Sequence, residues 1–402
     1  MKVLQINTVC GRGSTGRIAT DLLSCLKRKG DYGEIAYGVG TMLNATPEET
    51  YRVDTKFEYC VHNILSRITD NEGCYSSYAT ARLIKKIEDY RPDVIHLHNI
   101  HGHYLNYEKL FTFLKNSKIP VVWTFHDCWP ITGHCTHFVN IGCDQWKKQC
   151  TSCSQLLCYP SCYTKGNVKK NYLRKKKSFM GLKNLVIVTP SEWMAGLVKE
   201  SFLKDYPIKV INNGISMSKF QPKERALFRN RYALKNETII LGVASEWSTK
   251  KGFDDFIHLS RNLSDNQRIV MVGVSSEQAK NLPASIIAIQ RTDSAEELAE
   301  IYSAADVFFN FTYEDNFPTV NLEALACGTP VVTYRTGGSP ESVTPETGVV
   351  VEQGNYFDAL KLIDAVKKLD RGVIRKKACE RYEASEKYDE YFSLYKSMLS
   401  NI

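Results

Sequence analysis

The chain has 402 residues, of which 43% are hydrophobic and 24% are charged, and its formal net charge is +8. A chain of this length is longer than one that usually folds around a single hydrophobic core, so two globular domains are predicted. The first residues lack the apolar run of a secretory signal and no later stretch suits a membrane span, so the sequence favours a cytoplasmic protein over a secreted or membrane-spanning one.

The N-terminal stretch predicts a strand, a glycine-rich loop and a helix. Residues 3–6 are apolar, and Gly11, Gly13 and Gly16 follow with the spacing G-x-G-x-x-G. Such a loop can lie against a diphosphate in dinucleotide-binding folds. No ribose-binding acid follows the next predicted strand, 35–37, so a nicotinamide cofactor is not favoured. The glycines either border a diphosphate or serve only to form a tight turn.

Histidines follow two further predicted strands, 94–97 and 121–125. They are His96 within the end of the first strand, His98, His101 and His103 after it, and His126 after the second strand. The carboxyl ends of parallel strands face the ligand crevice. Because no carboxylate accompanies the first group in the sequence, hydrogen bonding is favoured over metal binding.

A cysteine-rich insertion, residues 128–165, interrupts the strand–helix alternation. A C-x-x-C pair with further cysteines is typical of a zinc knuckle, in which thiolates fold a loop that lacks its own core. We predict a structural zinc over loose thiols, with His134, Cys158 and Cys162 as alternative ligands. The predicted ligands are Cys135, Cys143, Cys150 and Cys153.

A basic run lies after the insertion, between residues 165 and 183. Such a run is either a solvated helix face or a contact with an anionic bilayer or a diphosphate-linked lipid. Its members include Lys169, Lys170, Arg174, Lys175, Lys176 and Lys177.

The second half repeats the alternation of strands and helices after a polar stretch, 216–236, that suits a linker. The predicted strands are 238–244, 269–273, 286–289, 307–311 and 331–333. Alternation in both halves predicts two doubly wound parallel sheets. A last helix at about 383–399 ends the chain.

The segment after strand 307–311 brings acids to a helix start. Asp315 lies in the predicted loop, and Glu323 lies in a short helix that begins near Pro318. Backbone N–H groups at such a helix start favour phosphate. The two acids could then contact sugar and ribose hydroxyls, or they could be ordinary solvated acids.

This segment resembles the nucleotide-sugar signature of the family 4 retaining glycosyltransferases, in which two acids bracket seven residues. Residues 323–331, Glu-Ala-Leu-Ala-Cys-Gly-Thr-Pro-Val, match closely, and Asp315 stands where the family usually has Glu. Lys251 and Gly252 match a second motif, in which Glu246 replaces the usual Arg. The stretch 126–153 resembles a subgroup that builds colanic acid, capsule and O-antigen polysaccharides.

The resemblance implies an α/β fold of the GT-B class, with two facing Rossmann-like domains and a cleft between them. We expect an acceptor-side domain at 1–215, a nucleotide-sugar domain at 216–382, and a C-terminal helix, 383–402, that crosses back to the first domain. The absence of any Asp-x-Asp argues against the metal-dependent, single-domain alternative.

The resemblance also implies a retaining transfer from a UDP- or GDP-linked sugar to a glycan acceptor on a polyprenyl diphosphate. No catalytic cofactor or nucleic acid is expected, and the enzyme would work at the inner face of a bacterial membrane. The expected catalytic residues are His126, Lys251, Asp315 and Glu323. The expected donor-binding residues are Gly13, Gly16, Lys250, Asn316, Phe317, Thr319 and Val320.

Two other functions fit parts of the sequence. A sugar-nucleotide epimerase has the same architecture, and a basic zinc-knuckle protein could bind RNA. Formation of an isomeric nucleotide sugar without acceptor would indicate the first, and steeply salt-dependent RNA binding would indicate the second.

Overall fold

A computed structural model of the protein describes residues 1–400 and divides the chain into two compact units. Unit 1 consists of residues 1–211 together with the C-terminal segment from Tyr388, and unit 2 spans residues 212–387. The domain boundaries predicted above, after 215 and after 382, stay predictions.

Unit 1 is built on a seven-stranded, wholly parallel sheet with the order β3-β2-β1-β4-β5-β6-β7. Its central strands read as short apolar runs because they are buried on both faces. The strands are β1 (Lys2–Val9), β2 (Tyr32–Val39), β3 (Thr50–Arg52), β4 (Val94–Leu97), β5 (Val121–Thr124), β6 (Leu185–Thr189) and β7 (Ile208–Val210).

Seven helices connect these strands. The amphipathic ones bury one face against the sheet, as α1 does through Ile18, Leu22 and Leu26. They are α1 (Gly13–Arg28), α2 (Lys56–Thr69), α3 (Ser77–Tyr90), α4 (Tyr107–Asn116), α5 (Gln145–Lys148), α6 (Val168–Phe179) and α7 (Glu192–Glu200).

Unit 2 contains a six-stranded parallel sheet with the order β10-β9-β8-β11-β12-β13. Its strands are β8 (Thr238–Val243), β9 (Gln267–Val272), β10 (Ile286–Ile289), β11 (Val307–Asn310), β12 (Val331–Tyr334) and β13 (Gly348–Val351). Its helices are α8 (Arg225–Arg231), α9 (Phe253–Ser260), α10 (Ser276–Lys280), α11 (Ala295–Ala304), α12 (Thr319–Ala326), α13 (Tyr356–Val366) and α14 (Arg371–Tyr382).

The stretch 216–236 is more ordered than the predicted linker. It contains α8, whose Phe228 is buried in the core of unit 2 and whose Arg229 donates to Asp306 at 2.8 Å. Asp306 in turn accepts from the backbone N–H of Ile239 at the start of β8. The linker prediction was therefore wrong for this helix. The stretch is mostly polar and basic, and the single buried side chain of the helix, Phe228, did not stand out in the sequence.

The last helix, α15 (Ala384–Ser400), carries buried tyrosines into unit 1. The hydroxyl of Tyr395 lies 2.6 Å from Nδ1 of His96, and the hydroxyl of Tyr391 lies 3.2 Å from Oγ1 of Thr124. The end of the chain thus completes the polar surroundings of β4 and β5.

Among the described residues, no helix combines the length and the apolar character that crossing a bilayer would need.

Candidate functional site

The acidic segment of unit 2 lies where the strand order of the sheet reverses. β8 pairs with β11 on one side and β9 on the other, so the loops after β8 and β11 meet at the carboxyl edge. Ligands of open parallel sheets bind at such switch points.

Two ion pairs join these loops. Nζ of Lys251 lies 2.9 Å from Oδ2 of Asp315, and Nζ of Lys250 lies 2.8 Å from Oε2 of Glu314. Lys251 is also 3.4 Å from both Oγ1 of Thr312 and the backbone oxygen of Glu314. The structure therefore brings Lys250, Lys251 and Asp315 together and adds Glu314, the residue before Asp315.

Helix α12 begins immediately after this cluster. Pro318 is its N-cap, and Thr319 and Val320 are the first two helical residues, both half-buried. Asn316 and Phe317 are buried just before it, and the side chain of Asn213 donates to the backbone oxygen of Phe317 at 3.0 Å. This hydrogen bond fixes the short segment that leads from Asp315 into the helix.

Glu323 lies inside α12 and is only 3% exposed. Its Oε2 accepts from the hydroxyl of Tyr302 at 3.0 Å. Thr329, which donates to the backbone oxygen of Tyr302, accepts in turn from Arg371 at 2.7 Å. The alternative of a solvated surface acid is therefore wrong for Glu323, since a buried carboxylate needs such partners.

The strand-end histidines of unit 1 form a hydrogen-bonded chain. Nε2 of His98 lies 3.0 Å from Oε1 of Gln5, and Nδ1 of His98 lies 3.0 Å from Nε2 of His126. The amide nitrogen of Gln5 donates to Ala19, so its oxygen must accept from His98. Nδ1 of His98 then accepts from Nε2–H of His126, which gives His126 the tautomer whose Nδ1 is an acceptor.

Burial keeps these rings neutral. It lowers the pKa of His126 to about 4, and the pKa of His98 falls well below its usual value for the same reason. His126 is thus suited at neutral pH to hydrogen bonding rather than to carrying charge.

Carboxylates lie beside His101 and His103, although none stands next to this histidine group in the sequence. Nε2 of His101 lies 2.7 Å from Oδ2 of Asp127, and Nδ1 of His103 lies 2.5 Å from Oε2 of Glu72. Glu72 also accepts from the backbone N–H groups of Gly102 and His103. The sequence did not indicate these pairs, because Asp127 follows β5 and Glu72 precedes β4, whereas His101 and His103 follow β4.

In the described part of the chain, one set of three His, Cys, Asp or Glu side chains brings its ligand atoms within 4.8 Å of one another. It consists of His62, Glu72 and His103, all buried. Nδ1 of His103 lies 2.5 Å from Oε2 of Glu72, and His62 contacts Ser76 and accepts from the N–H of Gly73. The ring of His62 and Oε1 of Glu72 thus have hydrogen-bond partners within the protein.

The glycine-rich loop is tightly packed. The N–H of Gly11 donates to the oxygen of Gly16 at 3.1 Å, and a Cβ added at Gly11 would lie 2.0 Å from the backbone oxygen of Leu43. Gly11 has a φ of +70°, where glycine is favoured. Packing alone accounts for Gly11, while the expected role of Gly13 and Gly16 toward a diphosphate stays a prediction.

The four predicted zinc ligands lie in one region of the insertion. Cys135 and Cys150 are buried, Cys143 and Cys153 pack beside them, and the thiols of Cys135 and Cys153 hydrogen-bond each other. Among the described residues no three of these sulfurs lie within 4.8 Å of one another, so this arrangement is not a closed ligand set. The zinc site stays a prediction, which requires the sulfurs to draw closer around the ion.

The basic run after the insertion does not form one solvated face. Nζ of Lys175 is buried 3.5 Å above the ring of Trp129 and donates to its backbone oxygen at 2.7 Å, and burial lowers the pKa of Lys175 to about 7. Arg174 turns inward to Asn71 and Glu108. A variant that reverses the charges of residues 174–177 would therefore disturb the core, and it could not show whether the run contacts a membrane.

Comparison with known proteins covers both units. The family described as Glycosyltransferase Family 4 matches residues 17–219, about half of the chain, and that described as Glycosyl transferases group 1 matches residues 224–386. WcaC of Escherichia coli (strain K12), whose name assigns it to colanic acid biosynthesis as a glycosyl transferase, is 22% identical over 99% of this chain and 100% of its own length.

Solved structures resemble the whole chain. Anabaena HepE in complex with UDP has a TM-score of 0.69 at 14% identity, covering 99% of this chain and 100% of HepE. Sucrose-phosphate synthase from Thermosynechococcus elongatus has a TM-score of 0.73 at 16% identity, with both chains covered completely. This likeness confirms the predicted α/β fold class, GT-B.

The neutral histidines predict an acid-sensitive fold. Burial lowers the pKa of His62 to about 4 in the folded protein. In the unfolded chain the exposed ring has its usual pKa of about 6.5 and binds a proton once the pH falls below that value. The unfolded state then binds more protons, and the free energy of unfolding falls as pH drops between these values. Between pH 7.5 and 5.5, we expect the free energy of unfolding of His62→Gln to fall by about 1 kcal/mol less than that of the parent protein.

Urea unfolding followed by tryptophan fluorescence at both pH values measures this difference. His258→Gln, at an exposed position in unit 2, is the matched control and should leave the pH dependence as in the parent protein. An unchanged pH dependence in His62→Gln would contradict the assignment.

The predicted zinc site is tested by metal content. Freshly purified protein should contain about one zinc per chain, and chelation should make residues 129–165 more sensitive to protease. Cys143→Ser should lower the zinc content, whereas Cys60→Ser, at an exposed cysteine outside the insertion, should not. Protein that is metal-free and equally protease-resistant would show that thiol packing alone holds the insertion.

Proposed function

Because the chain belongs to glycosyltransferase family 4, we propose that it is a retaining enzyme that moves a sugar from a UDP- or GDP-linked donor to a lipid-linked glycan. The acceptor would be carried on a polyprenyl diphosphate during assembly of a bacterial surface polysaccharide. The observation that carries the donor part is the pairing of Lys251 with Asp315 beside the start of α12, at the switch point of unit 2.

Similar proteins support the class of donor and the class of product that we propose. HepE, whose fold this chain resembles, is described in complex with UDP, and the name of WcaC refers to colanic acid. A nucleoside diphosphate donor and a polysaccharide product are the corresponding proposals for this chain.

Lys251 is proposed to stabilise the leaving diphosphate. Breaking the glycosidic bond moves negative charge onto the diphosphate oxygens, and a cation held in place by Asp315 and the backbone of Glu314 meets that charge without rearrangement. The N–H groups of Thr319 and Val320, at the positive end of α12, would add to it. Pro318 has no N–H to contribute.

The other proposed roles follow from hydrogen-bonding capacity. Glu323, held by Tyr302, would accept from the ribose hydroxyls, and Asp315 would position sugar hydroxyls through the oxygen that does not face Lys251. His126, kept neutral with Nδ1 as an acceptor, would accept from a hydroxyl of the donor sugar. Within unit 2, Asn316 and Phe317 would border the donor, and Lys250 would supply the positive charge for which the family usually has an Arg.

Charge removal at the donor site should suppress transfer. We expect Lys251→Ala and Glu323→Gln each to lower the rate by about 10²-fold or more while the fold is retained. Glutamine can still accept from Tyr302, so the second variant tests the charge rather than the packing. Activity is measured with a panel of UDP- and GDP-sugars, and ligand binding by thermal shift.

Lys361→Ala is the matched control, since this lysine pairs with Asp358 on an exposed face of unit 2. It should keep full activity. Full activity in either donor-site variant would overturn the assignment of that residue, and conversion of the donor into an isomeric nucleotide sugar without acceptor would favour an epimerase instead.

A further inference from the structure

Helix α2 carries an exposed apolar stripe. Phe57 is 77% exposed, Val61 39%, Ile64 59% and Ile68 55%. Their spacing of four, three and four residues places them on one face, while His62 and Ser66 are buried on the other. We call these four residues the α2 stripe.

Two exposed tyrosines extend this surface. The hydroxyl of Tyr163 accepts from Arg67 at 2.9 Å, which seats it beside the C-terminal end of the stripe. Tyr78 lies one turn before Arg82 on α3, and Arg82 pairs with Glu58 on α2. Scattered exposed apolar residues are normal, but a contiguous row on one helix marks an interaction surface.

The charges around the stripe are positive. Lys56 and Arg67 flank it, and the nearby acid Glu58 is paired with Arg82 at 2.6 Å. The segment that follows Tyr163 contains Lys165 and enters α6, where Asn167 donates to the backbone oxygen of Thr69 at the end of α2. The exposed lysines Lys169 and Lys170 come next, so the basic run continues directly from the stripe.

We propose that the α2 stripe is a bilayer-docking surface, which lies in the interface of an anionic membrane with its apolar side chains among the acyl chains. An apolar helix face bordered by lysine and arginine is the pattern of helices that lie in the membrane interface. The purpose of this contact, delivery of a lipid-linked acceptor, rests on the proposed function; the docking itself does not.

Charge argues for a bilayer rather than a second copy of the chain. Pairing two α2 stripes in parallel would place the flank with Lys56 and Arg67 against the flank of the second copy that carries Glu58, which Arg82 already neutralises. Antiparallel pairing would place each Lys56 near the partner's Arg67. Antiparallel pairing thus brings like charges together and parallel pairing offers only an acid that is already paired, whereas anionic headgroups satisfy these cations.

Vesicle flotation of the full chain, without donor or acceptor, tests the proposal. The parent protein should bind vesicles that contain phosphatidylglycerol, and it should bind phosphatidylcholine vesicles or high-salt samples more weakly. The double variant Phe57→Ser/Ile64→Ser should bind at least about tenfold more weakly, because tenfold corresponds to about 1.4 kcal/mol and burial of one such side chain contributes as much or more.

The matched control is Leu227→Ser/Phe357→Ser, which removes two exposed apolar side chains from unit 2 and should bind as the parent protein does. A charge variant, Lys165→Glu/Lys169→Glu/Lys170→Glu, should weaken binding to anionic vesicles only. These side chains are exposed, and unchanged melting temperatures should show that each variant is folded.

Unchanged vesicle binding in the stripe variant, or no binding by the parent protein, would overturn the proposal. A parent dimer that the stripe variant converts to a monomer, without vesicle binding, would assign the surface to a second copy. Because donor binding is read separately by thermal shift with UDP and GDP, failure of docking would leave the proposed transfer chemistry untouched, and the reverse also holds.

Discussion

Strands that are buried on both faces can present polar chemistry only at their ends. β4, β5, β11 and β12 are fully buried, so neither sheet face can hold a charged ligand near them. In each unit the polar groups therefore gather where strands stop. In unit 2 these are the lysines and acids after β8 and β11, and in unit 1 they are the histidines after β4 and β5.

The two units differ in how they stabilise the polar side chains at their strand ends. Unit 2 pairs formal charges, and Lys250 and Lys251 each face a different carboxylate of the same loop. Unit 1 keeps His98 and His126 neutral and aligns them from donor to acceptor back to Gln5. A paired cation can meet the charge of a diphosphate, whereas a neutral imidazole can accept from a hydroxyl without adding charge. The division suits the donor chemistry proposed for the two halves.

Local patterns predicted most of the strands and the donor segment. Apolar runs located β4, β5, β10 and β11 closely, and Pro318 marked the start of α12. Helices α2 and α3 were not predicted, and the outward orientation of the apolar face of α2 could not be read from its spacing. The pairs His103–Glu72 and His101–Asp127 depend on which strands are neighbours in the sheet, and spacing along the chain does not encode that.

The basic run shows why counting charges is a poor guide to a surface. Lys175 and Arg174 sit between lysines that are exposed, yet helical geometry turns them toward Trp129 and Asn71, where they stabilise the interior. Only the remaining cations can act at long range, and electrostatic attraction alone is screened within about a Debye length, roughly 8 Å at physiological salt. A reversible membrane contact therefore needs apolar area as well as charge. For the proposed docking, α2 offers that area and α6 continues the charge, since Asn167 joins the start of α6 to the end of α2.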